Sequence, residues 1–129
     1  MLKVLPIQTK DEQAKICELC NTKYTADLLA YAVYDDDELL GVCQFKLTAS
    51  GGEIHCIESA NGTNRTEALF IMGRGALNFI DLCGVHYAKY LGEVKNEDLL
   101  TAIGFKKNAD GKYDIDLEGF FTDHCGNHK

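Results

Sequence analysis

The sequence predicts one α/β domain, of the α+β kind, with a mixed and mostly antiparallel sheet built around a central βαβ unit. Three observations carry that expectation. Residues 52–105 run as a buried strand (53–58), a polar loop (59–65), a long apolar helix (66–83), a second strand (85–91) and a short helix closing at Ile103-Gly104-Phe105. Ahead of them, two β-rich runs (28–34 and 39–47) joined by Asp35-Asp36-Asp37-Glu38 read as a hairpin with an acidic tip. Behind them, Asp110-Gly111 separates two further strand patterns, a strong hairpin signal. The predicted order is β-α-β-β-β-α-β-α-β-β.

A chain of 129 residues is long enough to bury a core without disulfides, and 46% hydrophobic content excludes a disordered chain. A formal charge of -7 with only two arginines, Arg65 and Arg74, argues against nucleic acid. No run approaches the roughly 20 apolar residues of a membrane span, and the start Met-Leu-Lys-Val-Leu-Pro is too short for a signal peptide. A cytoplasmic protein is expected, with no membrane partner. Four of the six cysteines, Cys17, Cys43, Cys56 and Cys83, sit in apolar helix or strand patterns and read as small buried hydrophobes.

Each element has a local reason. Residues 2–5 alternate as an edge strand before Pro6. Thr9 is a natural N-cap ahead of Asp11 and Glu12, and Ile16, Cys17, Leu19 and Cys20 are expected on the inner side of the first helix. Gly41 suggests a bulge or a close backbone approach. The long helix carries apolar residues at 69, 72, 76, 79, 80 and 83, and Gly84 is its C′ stop. Gly73 and Gly75 each cost about 1 kcal/mol against Ala in a helix interior, so close packing on the sheet is the expected reason for both. Asn96 caps the short helix, and residues 113–121 form the last strand. Residues 122–129 read as a tail.

This order, with a βαβ core after an antiparallel meander, resembles the GNAT superfamily of N-acetyltransferases over nearly the whole chain. Local marks agree. Asp36-Asp37-Glu38-Leu39-Leu40-Gly41-Val42 resembles the family's hairpin leading to a Gly-Val strand, Arg65 and Gly84-Val85 bracket the long helix at nearly the family's spacing, and Asn96 with Ile103-Gly104-Phe105 resembles its short final helix. The resemblance implies acyl-CoA-dependent N-acetyl transfer to a small-molecule or protein amine, with acetyl-CoA as co-substrate. Its pyrophosphate would lie on the backbone amides of Asn64, Arg65, Thr66, Glu67, Ala68 and Leu69, with Asn96 near the cofactor arm. Two departures are specific. The family's glycines at the start of the long helix are replaced in Arg65-Thr66-Glu67-Ala68-Leu69-Phe70, and the tyrosine many relatives carry on the short helix is Leu100 here. The alternative reading is a non-catalytic GNAT-like domain that binds a ligand or partner, its cleft filled by a side chain such as Phe70.

Glu58, at the end of the central strand, is the candidate base, since an amine must lose its proton before attacking an acyl carbonyl; the competing reading is a strand-end carboxylate in solvent. His55 and Glu53 fall on the opposite face by period-two alternation. His55 could serve as a base, and a hydrogen-bonded sheet histidine is the plainer reading. Arg65 reads equally as a phosphate contact or as a surface cation, and Asn64 and Thr66 as helix caps or ligands. Cys17-x-x-Cys20 with His124, Cys125 and His128 has donor types suited to zinc. A helical i, i+3 pair also reads as one buried face, so no metal is expected. The acceptor and the oligomeric state, a homodimer included, stay open.

Overall fold

Each helix is delimited by its own sequence. The computed structural model describes residues 1–121, ordered β1 (Leu2–Pro6), α1 (Lys10–Leu19), β2 (Leu29–Asp35), β3 (Glu38–Thr48), β4 (Gly51–Ser59), α2 (Thr66–Leu82), β5 (Tyr87–Tyr90), α3 (Glu97–Ile103), β6 (Lys106–Lys107) and β7 (Tyr113–Asp116). The Thr9 hydroxyl accepts from the Glu12 N–H and Asn96 accepts from the Leu99 N–H, as their positions predict. Helices α1, α2 and α3 end in the same doubly hydrogen-bonded stop, with Asn21, Gly84 or Gly104 at positive φ just past the helix. The following residue donates back into the last turn: Thr22 to the Cys17 carbonyl, Val85 to Ile80, Phe105 to Leu100.

Among the described residues seven strands form one sheet in the order β1-β2-β3-β4-β5-β7-β6. Every pairing is antiparallel except β4 with β5, where α2 makes the crossover. The larger core lies between the sheet and α2 and α3. There Val33, Phe45, Ile54 and Ile57 meet Met72, Ala76, Leu77, Ile80 and Ile103. A smaller core on the α1 side is built of Ile16, Cys20, Ala30, Ala32, Val42, Cys56 and Ala60.

Two bulges shape the middle strands. Val33 pairs with Gly41 and Tyr34 with Leu39, which leaves Leu40 extra in β3. Gly41 also needs to be glycine, because a Cβ there would stand 2.7 Å from the Glu58 carbonyl oxygen. The second bulge leaves His55 extra in β4, between Ile54 opposite Phe45 and Cys56 opposite Gln44. Period-two alternation does not hold across it: Ile54 and Ile57 both pack on the α2 side, while Cys56 packs with α1. Glu53 and Glu58 therefore share a face, contrary to the simple alternation.

Other expectations are corrected. Leu19 is exposed, and Gln13 takes the inner position on α1 that its periodicity gave to a leucine. Cys83 is exposed at the C-cap of α2, whereas Cys17, Cys43 and Cys56 are buried. The last strand ends at Asp116, with a turn through Glu118 and Gly119. Gly73 is explained by α3 rather than the sheet, since a Cβ would meet the Ile103 Cδ1 at 2.7 Å. Gly75 has no close neighbour at all: the nearest atom, Val4 Cγ1, lies at an ordinary 3.5 Å.

Candidate active site

The geometry of the site follows from the bulge in β4. Strand β5 is hydrogen-bonded to β4 only along Gly52, Glu53 and Ile54, opposite Ala88, Lys89 and Tyr90, and the Leu91 N–H closes the contact on the Ile54 carbonyl at 2.8 Å. Past the extra residue His55, β4 continues to Ser59, whereas β5 ends at Tyr90 and its pairing with β4 stops there. Parallel strands that part at their C-terminal ends open a cleft between them. Here it has a volume of about 430 Å³. Its floor is Ile57 and Glu58, its walls include Tyr90, Leu99 and Leu100, and its rim is the 59–66 loop with Cys20 and Asn21 from the end of α1.

Glu58 is the charged group at the bottom. It is 9% exposed, so it is not a strand-end carboxylate in solvent, and its Oε1 accepts a hydrogen bond from the Lys95 Nζ at 2.7 Å. The hydrogen bond to Glu58 holds the Lys95 ammonium above its ordinary pKa. Two other neighbours of Glu58, Cys20 and Tyr90, are neutral at pH 7. Burial pushes the Cys20 thiol up to about 12, and burial, with the Glu58 charge second, pushes the Tyr90 phenol up as well. The Tyr90 hydroxyl donates to the Glu93 carbonyl at 2.7 Å. His55 does not join this group; its Nε2 lies 3.0 Å from the Glu53 Oε1.

The loop side is less uniform. Thr63 ties the 59–66 loop down, its hydroxyl donating to the Ala60 carbonyl at 2.8 Å, and the Asn61 N–H reaches the Leu19 carbonyl at 2.8 Å. Neither Asn64 nor Thr66 caps α2. Arg65 occupies the N-cap position, no side chain bonds to the helix end, and both Asn64 and Thr66 are exposed at the cleft. Of the residues expected around a pyrophosphate, Asn64, Thr66, Leu69 and Asn96 line the cleft. Arg65 turns outward, 3.2 Å from Asp35 and 3.5 Å from Glu67. Glu67 is thereby partnered by Arg65, and Ala68 is buried in the core. Phe70 does not fill the cleft either; it lies under the Arg74 guanidinium, 4.9 Å from it, beside the α3 end that Arg74 caps.

Against known structures, the fold is a familiar one. A ribosomal-protein-S18-alanine N-acetyltransferase from Escherichia coli superposes with a TM-score of 0.67 at 10% identity, over 91% of this chain and 94% of that one. This is the GNAT fold. A Bacillus subtilis acetyltransferase in complex with CoA matches at TM-score 0.70 and 17% identity over 91% of this chain and 99% of its own. A spermidine N-acetyltransferase from Vibrio cholerae matches at 0.72 and 12%, over 95% and 98%. No protein-family model matches the sequence, and no curated protein sequence matches it significantly.

Sequence reasoning missed Lys95, Tyr90 and the place of Cys20 and Asn21, just past α1, at the rim. Lys95 was findable. A carboxylate at a buried strand position needs a cation, and β4 and β5 are parallel, so the chain leaving β5 arrives at the Glu58 end of the sheet. Of the proposed zinc ligands, Cys17 and Cys20 are buried with their thiols raised, mainly by burial, to about 11 and about 12, which disfavours the thiolates a metal needs. His124, Cys125 and His128, like the proposed tail 122–129, lie outside the described residues. Among the described residues no group of three or more metal-binding side chains comes together, and no helix is long and apolar enough to cross a membrane.

Proposed function

We propose that the chain is an acyl-CoA-dependent N-acetyltransferase acting on a primary or secondary amine. The observation that carries this reading is the open cleft between the parted ends of β4 and β5, with a buried carboxylate on its floor. Acetyl-CoA supplies an activated acyl group as a thioester. The residues fit such a donor: no side chain caps the start of α2 with a hydrogen bond, Asn64 and Thr66 line the cleft there, and Asn96 lines it too. In this reading the backbone of Asn64 to Glu67 holds the pyrophosphate, since the N–H groups of Ala68 and Leu69 donate to the Arg65 carbonyl at 3.0 and 3.2 Å. Arg65 contributes only after leaving Asp35. Glu58 takes the proton from the amine as nitrogen attacks the thioester carbon, directly or through a water, and the carbon–sulfur bond breaks to release the thiolate. Leu100 leaves no phenol on α3 to protonate that thiolate, so orientation of the two substrates carries most of the rate.

A second reading has an observation of its own. The Glu58 carboxylate is already engaged by Lys95, and a domain that only binds a ligand needs no free base. Thermal unfolding with and without millimolar acetyl-CoA, with free CoA and ATP as controls, separates the two. Saturation at 100 times the dissociation constant stabilises the fold by about 2.7 kcal/mol, a rise of several degrees in Tm. A rise with acetyl-CoA, followed by turnover of an amine that Glu58→Gln abolishes while leaving the rise intact, is the expected outcome. No rise at any concentration overturns the transferase reading.

A further inference from the structure

We infer that Lys95 is a tethered occupant of an ammonium position on Glu58, to be displaced by the primary alkylammonium end of an incoming molecule. The two partners of this ion pair are built differently. Glu58 is fixed in β4 and its side chain is only 11% exposed, so its carboxylate has little water to turn to. The Lys95 side chain is 53% exposed and belongs to a segment with no helix or strand, between β5 and α3. That segment is itself pinned on both sides of the lysine. A Cβ on Gly92 would lie 2.7 Å from both the His55 carbonyl and the Tyr90 hydroxyl, the Tyr90 hydroxyl holds the Glu93 carbonyl, and Asn96 is bonded into the first turn of α3. Release therefore asks only for rotation of one solvated side chain.

Leaving Glu58 without a cation is the costly state, because a buried carboxylate stripped of its partner keeps its desolvation penalty. Exchange of one ammonium for another avoids that state. Among the described residues, Lys95 is the cation at ion-pair distance from Glu58. The cleft around the pair has room for an alkyl stem, with Ile57, Leu69, Leu99 and Leu100 in its lining. A primary ammonium can donate N–H to the carboxylate; a quaternary ammonium cannot. A lysine on a short pinned segment competes at an effective concentration in the millimolar range. A free alkylamine thus binds weakly unless the rest of the molecule adds contacts, and the lysine acts as a threshold against small amines.

The role in acceptor binding rests on the transferase reading, but the binding itself does not. The test is a titration with n-butylammonium chloride, followed through the backbone amide signals of Glu58, Tyr90 and Leu100, with tetramethylammonium chloride and sodium chloride at matched ionic strength as controls. Lys95→Ala is expected to bind n-butylammonium about tenfold more tightly than the wild type. Lys95→Arg should bind it no more tightly, and Glu58→Gln combined with Lys95→Ala should not bind it. If Lys95→Ala does not fold, Lys95→Gln takes its place. Equal affinity in the wild type and the variant, or an equal response to the control salts, overturns the inference. Acetyl-CoA titrated into the same samples keeps the two claims apart. A response to n-butylammonium without one to acetyl-CoA sinks acyl transfer and leaves the ammonium position standing; the reverse pattern does the opposite.

Discussion

On the α2 side of the sheet, Val33, Phe45, Ile54 and Ile57 close against Met72, Leu77, Ile80 and Ile103, and the Tyr31, Phe45 and Phe79 rings pack tilted or edge-on at 5.4 to 6.2 Å. On the α1 side, alanines and cysteines make a thin apolar layer, and buried amides complete it. The Gln13 side-chain amide donates to the Gln44 Oε1 at 2.9 Å. Gln44 in turn donates to the Lys23 carbonyl at 2.8 Å and accepts from the Thr25 N–H at 3.4 Å. One face is filled by shape and the other is held by polar pairing, and Glu58 with Lys95 continues the second pattern into the cleft. Apolar packing gives cohesion that tolerates no opening. Polar pairing on a small core gives a face where a partner can be exchanged.

The comparison predicts its own order of effects. Leu77 is fully buried in the α2 face, and Leu77→Ala should lower the unfolding free energy by about 3 kcal/mol in urea denaturation. A loss below about 1 kcal/mol would mean that this face can collapse around a void, and the contrast would fail. Gln44→Ala, on the other face, takes a partner from the Gln13 amide, which keeps the Leu28 carbonyl, and from the Lys23 carbonyl and the Thr25 N–H. The expected cost is about 1–3 kcal/mol, less than additive with Gln13→Ala because both belong to one network. Strict additivity would show that the two glutamines stabilise independently.

The two glycines of α2 sharpen the same point within one helix. A methyl at Gly73 has to move Ile103, so Gly73→Ala should destabilise by about 1–2 kcal/mol despite the better helix propensity. At Gly75 there is room, and Gly75→Ala should stabilise by roughly 0.5–1 kcal/mol. The same sign at both positions, read from Tm, would contradict the packing described.

What could be read in the sequence divides along the same line. Apolar periodicity announced α2, the central strands and the hairpin turns, because burial of large side chains leaves a pattern. Thr9, Gly84 and Asn96 announced helix ends because a cap is a local event. Ile16, Cys17 and Cys20 are buried on the α1 face as expected, and the two positions that differ do so for a physical reason. Gln13 looks like a surface residue until its partner, Gln44, is known, and Leu19 looks like core until the helix is seen to end beside the cleft rim. Glu58 was named from its position, yet the partner that keeps it buried, 37 residues away, follows only from the parallel pairing of β4 with β5. The bulge at His55, which both parts the strands and resets which residues face α1, has no local mark in Ile54-His55-Cys56.

The smallest expected effect lies at the opposite end of the sheet from the cleft, where no exchange is called for. His86 Nδ1 is 2.6 Å from Asp81 Oδ1 and 4.0 Å from Glu118 Oε2, and the hydrogen bond to Asp81 raises its pKa above the ordinary histidine value. A base whose folded pKa exceeds its unfolded one adds stability that is complete below the unfolded value of about 6.5 and fades as pH rises through the raised value. Tm measured from pH 5.5 to 9 should therefore fall with pH slightly more steeply in the wild type than in His86→Gln. The ion pair is exposed, so screening by 0.5 M salt should erase most of the difference. The same salt should leave the Glu58–Lys95 contact largely intact, because the carboxylate on that side is shielded from solvent. A pH-dependence at His86 that survived high salt would place a protected ion pair on the apolar side of the molecule, and the division between a face built on shape and a face built on charge would have to be redrawn.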